Sequence, residues 1–111
     1  MNPKKILIIE DDPKSRYALQ SILEDHGHHV RVFDNAEDAS KLDGTPFDAA
    51  IIDIRLPQQS GAEFARQFRK EHSATRIVFV TAYDGLSSEM LLEGTVLLVK
   101  PIDVDALLKL I

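Results

Sequence analysis

The apolar residues of the chain fall into five short runs, separated by longer segments of mixed polarity. The runs are Ile6–Ile9, His29–Phe33, Ala49–Ile52, Ile77–Val80 and Thr95–Val99. Their length and their β-branched content predict strands. The first run is apolar on four successive residues, whereas a strand with one face in solvent would alternate. We therefore expect a parallel sheet that is covered by helices on both faces.

The segments between these runs carry apolar residues at helical spacing. Asp12 is the expected N-cap of the first helix, with Pro13 at its first position, and Gly27 its expected C-cap; Asp34 or Asn35 caps the second. The apolar stripes are Ala18/Leu19/Ile22/Leu23, Ala36/Ala39/Leu42, Phe64/Ala65/Phe68 and Val104/Leu107/Leu108/Ile111. This alternation predicts an open α/β sandwich.

The chain's 111 residues suit a single domain over 1–111. Its last helix has about two turns from Asp103, so we expect this sequence to be a segment of a longer protein. A net charge of −5 argues against nucleic-acid binding, and the absence of cysteine excludes disulfides and thiol nucleophiles. No apolar run is long enough to span a bilayer or act as a signal peptide. We expect a cytoplasmic domain with no membrane partner.

Several polar residues stand where the predicted strands end. Glu10 and Asp11 lie at the carboxyl end of the first strand, Asp53 at that of the third, Thr81 at that of the fourth and Lys100 at that of the fifth. Each alone has an ordinary explanation, such as a turn or a surface charge, but the carboxyl ends of parallel strands share one edge of the sheet. Adjacent carboxylates repel, and Mg²⁺ would relieve that repulsion because it prefers oxygen ligands. Such a site also suits phosphoryl transfer.

Four motifs, in this order, resemble the receiver domain of two-component response regulators: LIIEDDP, IIDIRLPQQSG, VFVTAY and LLVKP. The resemblance covers essentially the whole chain. It implies a flavodoxin-like, doubly wound five-stranded parallel sheet of order 2-1-3-4-5. It also implies a phosphoacceptor switch rather than a turnover enzyme, in which a sensor histidine kinase or phosphotransfer protein donates a phosphoryl group to Asp53. An output domain or a downstream protein would then respond.

The resemblance also assigns roles at the strand ends. Mg²⁺ would be held by Glu10, Asp11, Asp53 and the backbone carbonyl of Arg55. Thr81 would be the switch hydroxyl and Lys100 the lysine that pairs with the phosphate. Two further features of the family, a cis bond before the proline that follows this lysine and a loop from the third strand to the third helix, fall on Pro101 and on Pro57 and Gly61.

The sequence departs from the family at two places. Leu97 stands where the family usually has the aromatic residue that couples to the switch hydroxyl. The segment from Thr81 to Lys100 is about one helical turn short, so we expect a reduced helix from near Ser87 to Gly94. Both departures concern how a signal leaves the domain, and they keep open a degenerate receiver that acts as a constitutive interaction module.

Other chemistry has weaker support in the sequence. A phosphatase with an aspartate nucleophile would usually need a second carboxylate two residues beyond Asp53, where this chain has Arg55. His26, His28 and His29 are too few and too divergent for a predicted metal site. The chain also has a small basic cluster, which we interpret as a solvated helix face rather than a binding site. Its members are Arg66, Arg69, Lys70 and Arg76.

Overall fold

The protein, seen in a computed structural model, is described over residues 2–42, 44, 46–82 and 92–111. Its five strands form one parallel sheet in the order β2-β1-β3-β4-β5, as the sequence predicts. The strands are β1 (Lys5–Ile9), β2 (His29–Phe33), β3 (Ala49–Asp53), β4 (Arg76–Thr81) and β5 (Val96–Val99). Asp53 and Thr81 are the last residues of β3 and β4.

The helices follow the predicted stripes. They are α1 (Pro13–Asp25), α2 (Ala36–Ala39), α3 (Gly61–Glu71) and α4 (Val104–Leu110). The α2 helix begins after Asn35, whose side chain accepts a hydrogen bond from the Asp38 N–H, so Asn35 rather than Asp34 is its N-cap. The C-cap of α1 is His26 instead of Gly27, which follows it in a left-handed conformation with φ of 88°. Glycine adopts that conformation without steric cost.

The two faces of the sheet bury alternate residues of each central strand. Leu7 and Ile9 of β1 belong to one cluster, which α2 and α3 cover, while Ile6 and Ile8 belong to the other, which α1 and α4 cover. All four of these residues have no solvent exposure. Burial on both faces explains why β1 is apolar throughout. The three-layer arrangement leaves the carboxyl edge of the sheet open between the helices.

The reduced helix expected from near Ser87 falls mostly on residues 83–91, outside the described residues. Where the description resumes, Leu92 packs against the cluster covered by α2 and α3. Gly94 has a φ of 79°, and the Thr95 hydroxyl donates to the carbonyl of Leu92 at 2.6 Å, so this stretch is a turn before β5. Among the described helices, none is both long and apolar enough to cross a membrane.

Candidate phosphoacceptor and metal site

The carboxyl edge of the sheet brings the predicted site residues together. Glu10 follows β1 directly, Asp53 and Thr81 end β3 and β4, and Lys100 follows β5. In the register of the sheet, Asp53 lies opposite Val80, and Thr81 lies opposite Val99. Since β1, β3, β4 and β5 are neighbours in the sheet, these four ends converge at the position where ligands bind in open α/β sheets.

Three carboxylates meet at this edge. Glu10, Asp11 and Asp53 each offer an oxygen atom, and these atoms lie within 4.8 Å of one another. Glu10 has no solvent exposure and Asp53 is 6% exposed, whereas Asp11 is exposed. Within the residues that the structure covers, this is the only group of three or more histidine, cysteine, aspartate or glutamate side chains close enough to hold a metal ion. The histidines near the end of α1 form no such group.

Lys100 bridges two of these acids. Its Nζ donates to Glu10 Oε1 and, at 3.2 Å, to Asp53 Oδ2. Its backbone N–H donates to the carbonyl of Thr81 at 2.7 Å, which fixes the start of the loop after β5. Burial alone would lower the pKa of Lys100, but hydrogen bonding and attraction from Glu10 and Asp53 outweigh it and hold the pKa above its ordinary value. The lysine therefore keeps its positive charge within the acidic cluster.

Glu10 has the most strongly perturbed environment of the site. The pKa of its carboxyl is raised from 4.5 to about 7, first by burial and then by a hydrogen bond with Asp53, against the opposing effect of Lys100. A buried carboxyl with a raised pKa beside a second carboxyl is poorly compensated by one lysine. An additional cation would favour the ionised form of the pair.

The chain after Asp53 is held tightly. The Arg55 N–H donates to Asp53 Oδ1 at 2.9 Å, and the Ile54 N–H continues the sheet to the Val80 carbonyl at 3.0 Å. The first residue of α3, Gly61, donates to the carbonyl of Ile54 at 2.8 Å. A Cβ atom on Gly61 would lie only 2.0 Å from the backbone oxygen of Asp53. Glycine is therefore required for this close approach, which the sequence indicates only as a motif position.

The acidic loop after β1 is also anchored. Asp12 accepts a hydrogen bond from the Ser15 N–H at 3.0 Å and is the N-cap of α1, as predicted. Arg16 reaches back from α1, and its Nη1 donates to the carbonyl of Glu10 at 3.0 Å and to that of Asp11 at 3.4 Å. Arg16 is not among the site residues predicted from the sequence. The available signal was an arginine one turn into the helix that follows the acids.

The remaining predicted residues lie where the motifs place them. Thr81 has no solvent exposure, and Arg55 lies two residues after Asp53 with an exposed side chain. The bond between Lys100 and Pro101 is cis, as the resemblance implies. Leu97 is half-buried in β5 and packs against the cluster covered by α2 and α3. The site edge thus carries the expected polar residues, with leucine at the usual aromatic position.

Comparison with known proteins identifies relatives of this chain. The family model for the response regulator receiver domain matches residues 6–111. The response regulator receiver protein CpdR of Brucella abortus is 37% identical over 81 residues, which are 72% of this chain and 68% of CpdR. Two longer relatives are covered to only 42% and 26% of their own length.

Two solved structures are similar over nearly the whole chain. TrrA of Thermotoga maritima, in complex with Mg²⁺ and BeF, is 32% identical with a TM-score of 0.81, and the match covers 96% of this chain and 94% of TrrA. A response regulator of Burkholderia pseudomallei, with a phosphorylated aspartic acid and a calcium ion, is 27% identical with a TM-score of 0.87, over 96% of this chain and 65% of that one. The chain belongs to the receiver domain family of two-component response regulators.

Proposed function

We propose that the domain is a phosphoacceptor switch in which Asp53 takes a phosphoryl group from a phosphohistidine of a sensor histidine kinase or phosphotransfer protein. One observation carries the proposal: the carboxylates of Glu10, Asp11 and Asp53 converge at one sheet edge, and Lys100 contacts Glu10 and Asp53. The phosphorylated aspartic acid of the Burkholderia pseudomallei relative supports it.

The transfer exchanges one bond of phosphorus for another. An oxygen of the Asp53 carboxylate attacks the phosphorus atom, a P–O bond forms and the P–N bond to the donor imidazole breaks. The imidazole leaves with the bonding electron pair and is protonated from solvent. The hydrogen bond from the Arg55 N–H to Oδ1 and the contact of Lys100 with Oδ2 orient the carboxylate. After the transfer, the Lys100 ammonium can donate to a phosphoryl oxygen, where a positioned cation stabilises the transferred phosphate.

The donor set fits Mg²⁺. Mg²⁺ takes oxygen ligands, carboxylates among them, and keeps other positions for water and phosphate. Glu10 and Asp11, with Asp53 and the carbonyl of Arg55, would hold the ion. A raised pKa at the buried Glu10 indicates a carboxylate that one lysine does not fully compensate. When bound, Mg²⁺ would supply positive charge to the acidic cluster and to the incoming phosphoryl oxygens.

Phosphorylation would act on other parts of the surface through charge. A phosphoryl group adds about −1.5 to −2 charges at neutral pH. Thr81 lies buried at the neighbouring strand end and is our candidate for the hydroxyl that responds. The domain would carry out only its own phosphorylation and dephosphorylation, and an output domain or a separate protein would read the change.

The proposal is tested with Mg²⁺ and acetyl phosphate, followed by intact mass measurement and peptide mapping. We expect one phosphoryl adduct on Asp53, dependent on Mg²⁺ and absent from Asp53→Asn. Asp12→Asn is the matched control, since asparagine is also a good N-cap and the substitution removes a nearby negative charge. Asp12→Asn should be phosphorylated like the wild type. An adduct on any other residue, or equal labelling of Asp53→Asn, would refute the assignment.

The alternative is a degenerate receiver that acts as a constitutive interaction module. Leu97 favours it, because a leucine that packs against the core has no ring that could respond to Thr81. The two functions differ in the amide spectrum after phosphorylation. A switch changes shifts beyond the carboxyl edge, whereas a constitutive module shows no adduct, or changes only beside Asp53.

A further inference from the structure

Arg16 contacts the backbone of both acids that follow β1. Its Nη1 donates to the carbonyl of Glu10 at 3.0 Å and to that of Asp11 at 3.4 Å. The Arg16 backbone N–H donates to the carbonyl of Asp12 at 2.9 Å. One residue therefore binds three consecutive carbonyls of the acidic loop, and its side chain is half-buried against that loop.

We propose that Arg16 is a positioning residue for the metal site, which acts by fixing the peptide units that carry the Glu10 and Asp11 side chains. This inference rests on the proposed function for the identity of the ion. The guanidinium contacts carbonyl oxygens rather than carboxylates, so it leaves the carboxylate oxygens available as ligands. A planar guanidinium that is always protonated suits this task, because it holds a fixed set of donors at every relevant pH.

The other contacts of the loop show why such an anchor matters. Glu10 is tied to β2, since its N–H donates to the carbonyl of Phe33 at 3.0 Å, and its Oε2 accepts a weak hydrogen bond of 3.4 Å from the Asp12 N–H. Asp11 is exposed between these points. The Arg16 contact to its carbonyl therefore restrains a residue whose side chain faces solvent.

Mg²⁺ demands near-ideal octahedral geometry, so its affinity is sensitive to the placement of each carboxylate. Groups that orient metal ligands from outside the coordination shell typically contribute about 10–100-fold to affinity. Removing the positive charge of Arg16 would itself change the affinity for Mg²⁺, apart from any effect on the position of the ligands. A second cation on the same helix allows the effect of charge to be separated from that of position. Lys14, which is exposed in the first turn of α1, is that second cation.

The test compares Arg16→Met with Lys14→Met by titrating Mg²⁺ and following amide chemical shifts without a phosphodonor. Both variants lose one positive charge near the acidic loop, but only Arg16→Met loses the carbonyl contacts. We expect Arg16→Met to bind Mg²⁺ roughly tenfold more weakly, with shifted Asp11 and Asp12 amides before any Mg²⁺ is added. Lys14→Met should match the wild type in both measurements, and Arg16→Lys should recover most of the affinity because its ammonium can donate to the same carbonyls.

Two results would overturn the inference: Arg16→Met with wild-type affinity, or Lys14→Met weakened as much as Arg16→Met. Should Arg16→Met not fold, Arg16→Gln takes its place, since its shorter amide does not span the two carbonyls. Phosphorylation of the same variants at saturating Mg²⁺ should recover the wild-type rate. A wild-type protein that binds Mg²⁺ but forms no adduct on Asp53 would refute the proposed function and leave the role of Arg16 to be decided by the titration.

Discussion

Replacing Gly61 by alanine tests how tightly the phosphoacceptor strand is packed against the following helix. The added Cβ would lie 2.0 Å from the backbone oxygen of Asp53 and 2.9 Å from Cγ2 of Ile52, whereas ordinary contacts begin at 3.4 Å. The atoms in the way belong to the last residues of a buried central strand, so they cannot rotate aside. The start of α3 must instead move away from Asp53 by about 1.4 Å, the difference between the 2.0 Å approach to the Asp53 oxygen and an ordinary contact of 3.4 Å.

That movement affects two interactions. The hydrogen bond from Gly61 to the carbonyl of Ile54, now 2.8 Å, would lengthen beyond a useful distance. Phe64 and Phe68 of α3 would shift within their buried cluster. Overpacking typically costs about 1–3 kcal/mol and a lost hydrogen bond about 1 kcal/mol, so we expect the free energy of unfolding to fall by about 2–4 kcal/mol.

The matched control is Gly44→Ala. No atom lies within 4 Å of a Cβ built on Gly44, and its φ is not in the left-handed region, so this substitution should be neutral or stabilise by up to about 1 kcal/mol. Urea unfolding followed by circular dichroism measures both variants, and an unchanged m-value confirms that the same surface is exposed.

The same displacement should slow phosphorylation. A misplacement of about 1 Å can reduce a positioned reaction by about 100-fold, and the backbone of Asp53 is the part that the new methyl group pushes. We expect Gly61→Ala to be labelled by acetyl phosphate far more slowly than Gly44→Ala at a temperature where both are folded. If Gly61→Ala unfolds at the same urea concentration as Gly44→Ala and is labelled at the wild-type rate, the close approach does not constrain the site.

Three further outcomes follow from particular contacts. His28 accepts a hydrogen bond from the Lys4 N–H through Nδ1, and burial together with nearby cations lowers its pKa. The unfolded state therefore binds more protons, so the free energy of unfolding should decrease as pH falls below 6.5. In urea unfolding between pH 7 and 5, His28→Gln should show a flatter dependence of stability on pH. Mg²⁺ at ten times its dissociation constant should raise the free energy of unfolding by about 1.4 kcal/mol, and Asp11→Asn should lose most of this gain in thermal melts. Leu107→Ala removes a fully buried side chain that joins α4 to the sheet, and it should lower the free energy of unfolding by about 2–5 kcal/mol. The exposed control Lys109→Ala should change it by less than about 0.5 kcal/mol, and equal melting temperatures of the two variants would contradict this.

The sheet was predictable because its signals are local. Runs such as Ile6–Ile9 are apolar on both faces only when helices cover both sides, and the observed division of Ile6 from Leu7 between two clusters is the physical counterpart of that pattern. The strands β3 and β4 extend one residue beyond their apolar runs, since Asp53 and Thr81 are polar and yet continue the ladder. The N-cap of α2 was ambiguous because Asp34 and Asn35 both suit that position.

The convergence of the acids was predictable from topology, but their partners were not. Lys100 is 90 residues from Glu10 in sequence, and the choice of Glu10 and Asp53 as its hydrogen-bond acceptors depends on side-chain conformations that no periodicity encodes. The same holds for Arg16, whose spacing places it on α1 but does not indicate that its side chain turns back to the strand end. The clash at Gly61 likewise depends on the distance between β3 and α3.

The arrangement of cations explains how three acids coexist at the ends of two buried strands. Lys100 offsets the repulsion between the carboxylates because it contacts a carboxylate oxygen directly. Arg16 instead contacts backbone carbonyl oxygens, and so fixes the loop that carries two of the acids. A cation placed among the ligands must be able to move when a phosphoryl group arrives, whereas one that contacts only the backbone can stay. Lys100 and Arg16 should therefore differ in phenotype: loss of Lys100 should uncouple phosphorylation from the surface change while the metal site persists, and loss of Arg16 should weaken the metal site while Lys100 still responds to phosphate. Identical Mg²⁺ titrations and identical spectral responses for Lys100→Met and Arg16→Met would contradict this division.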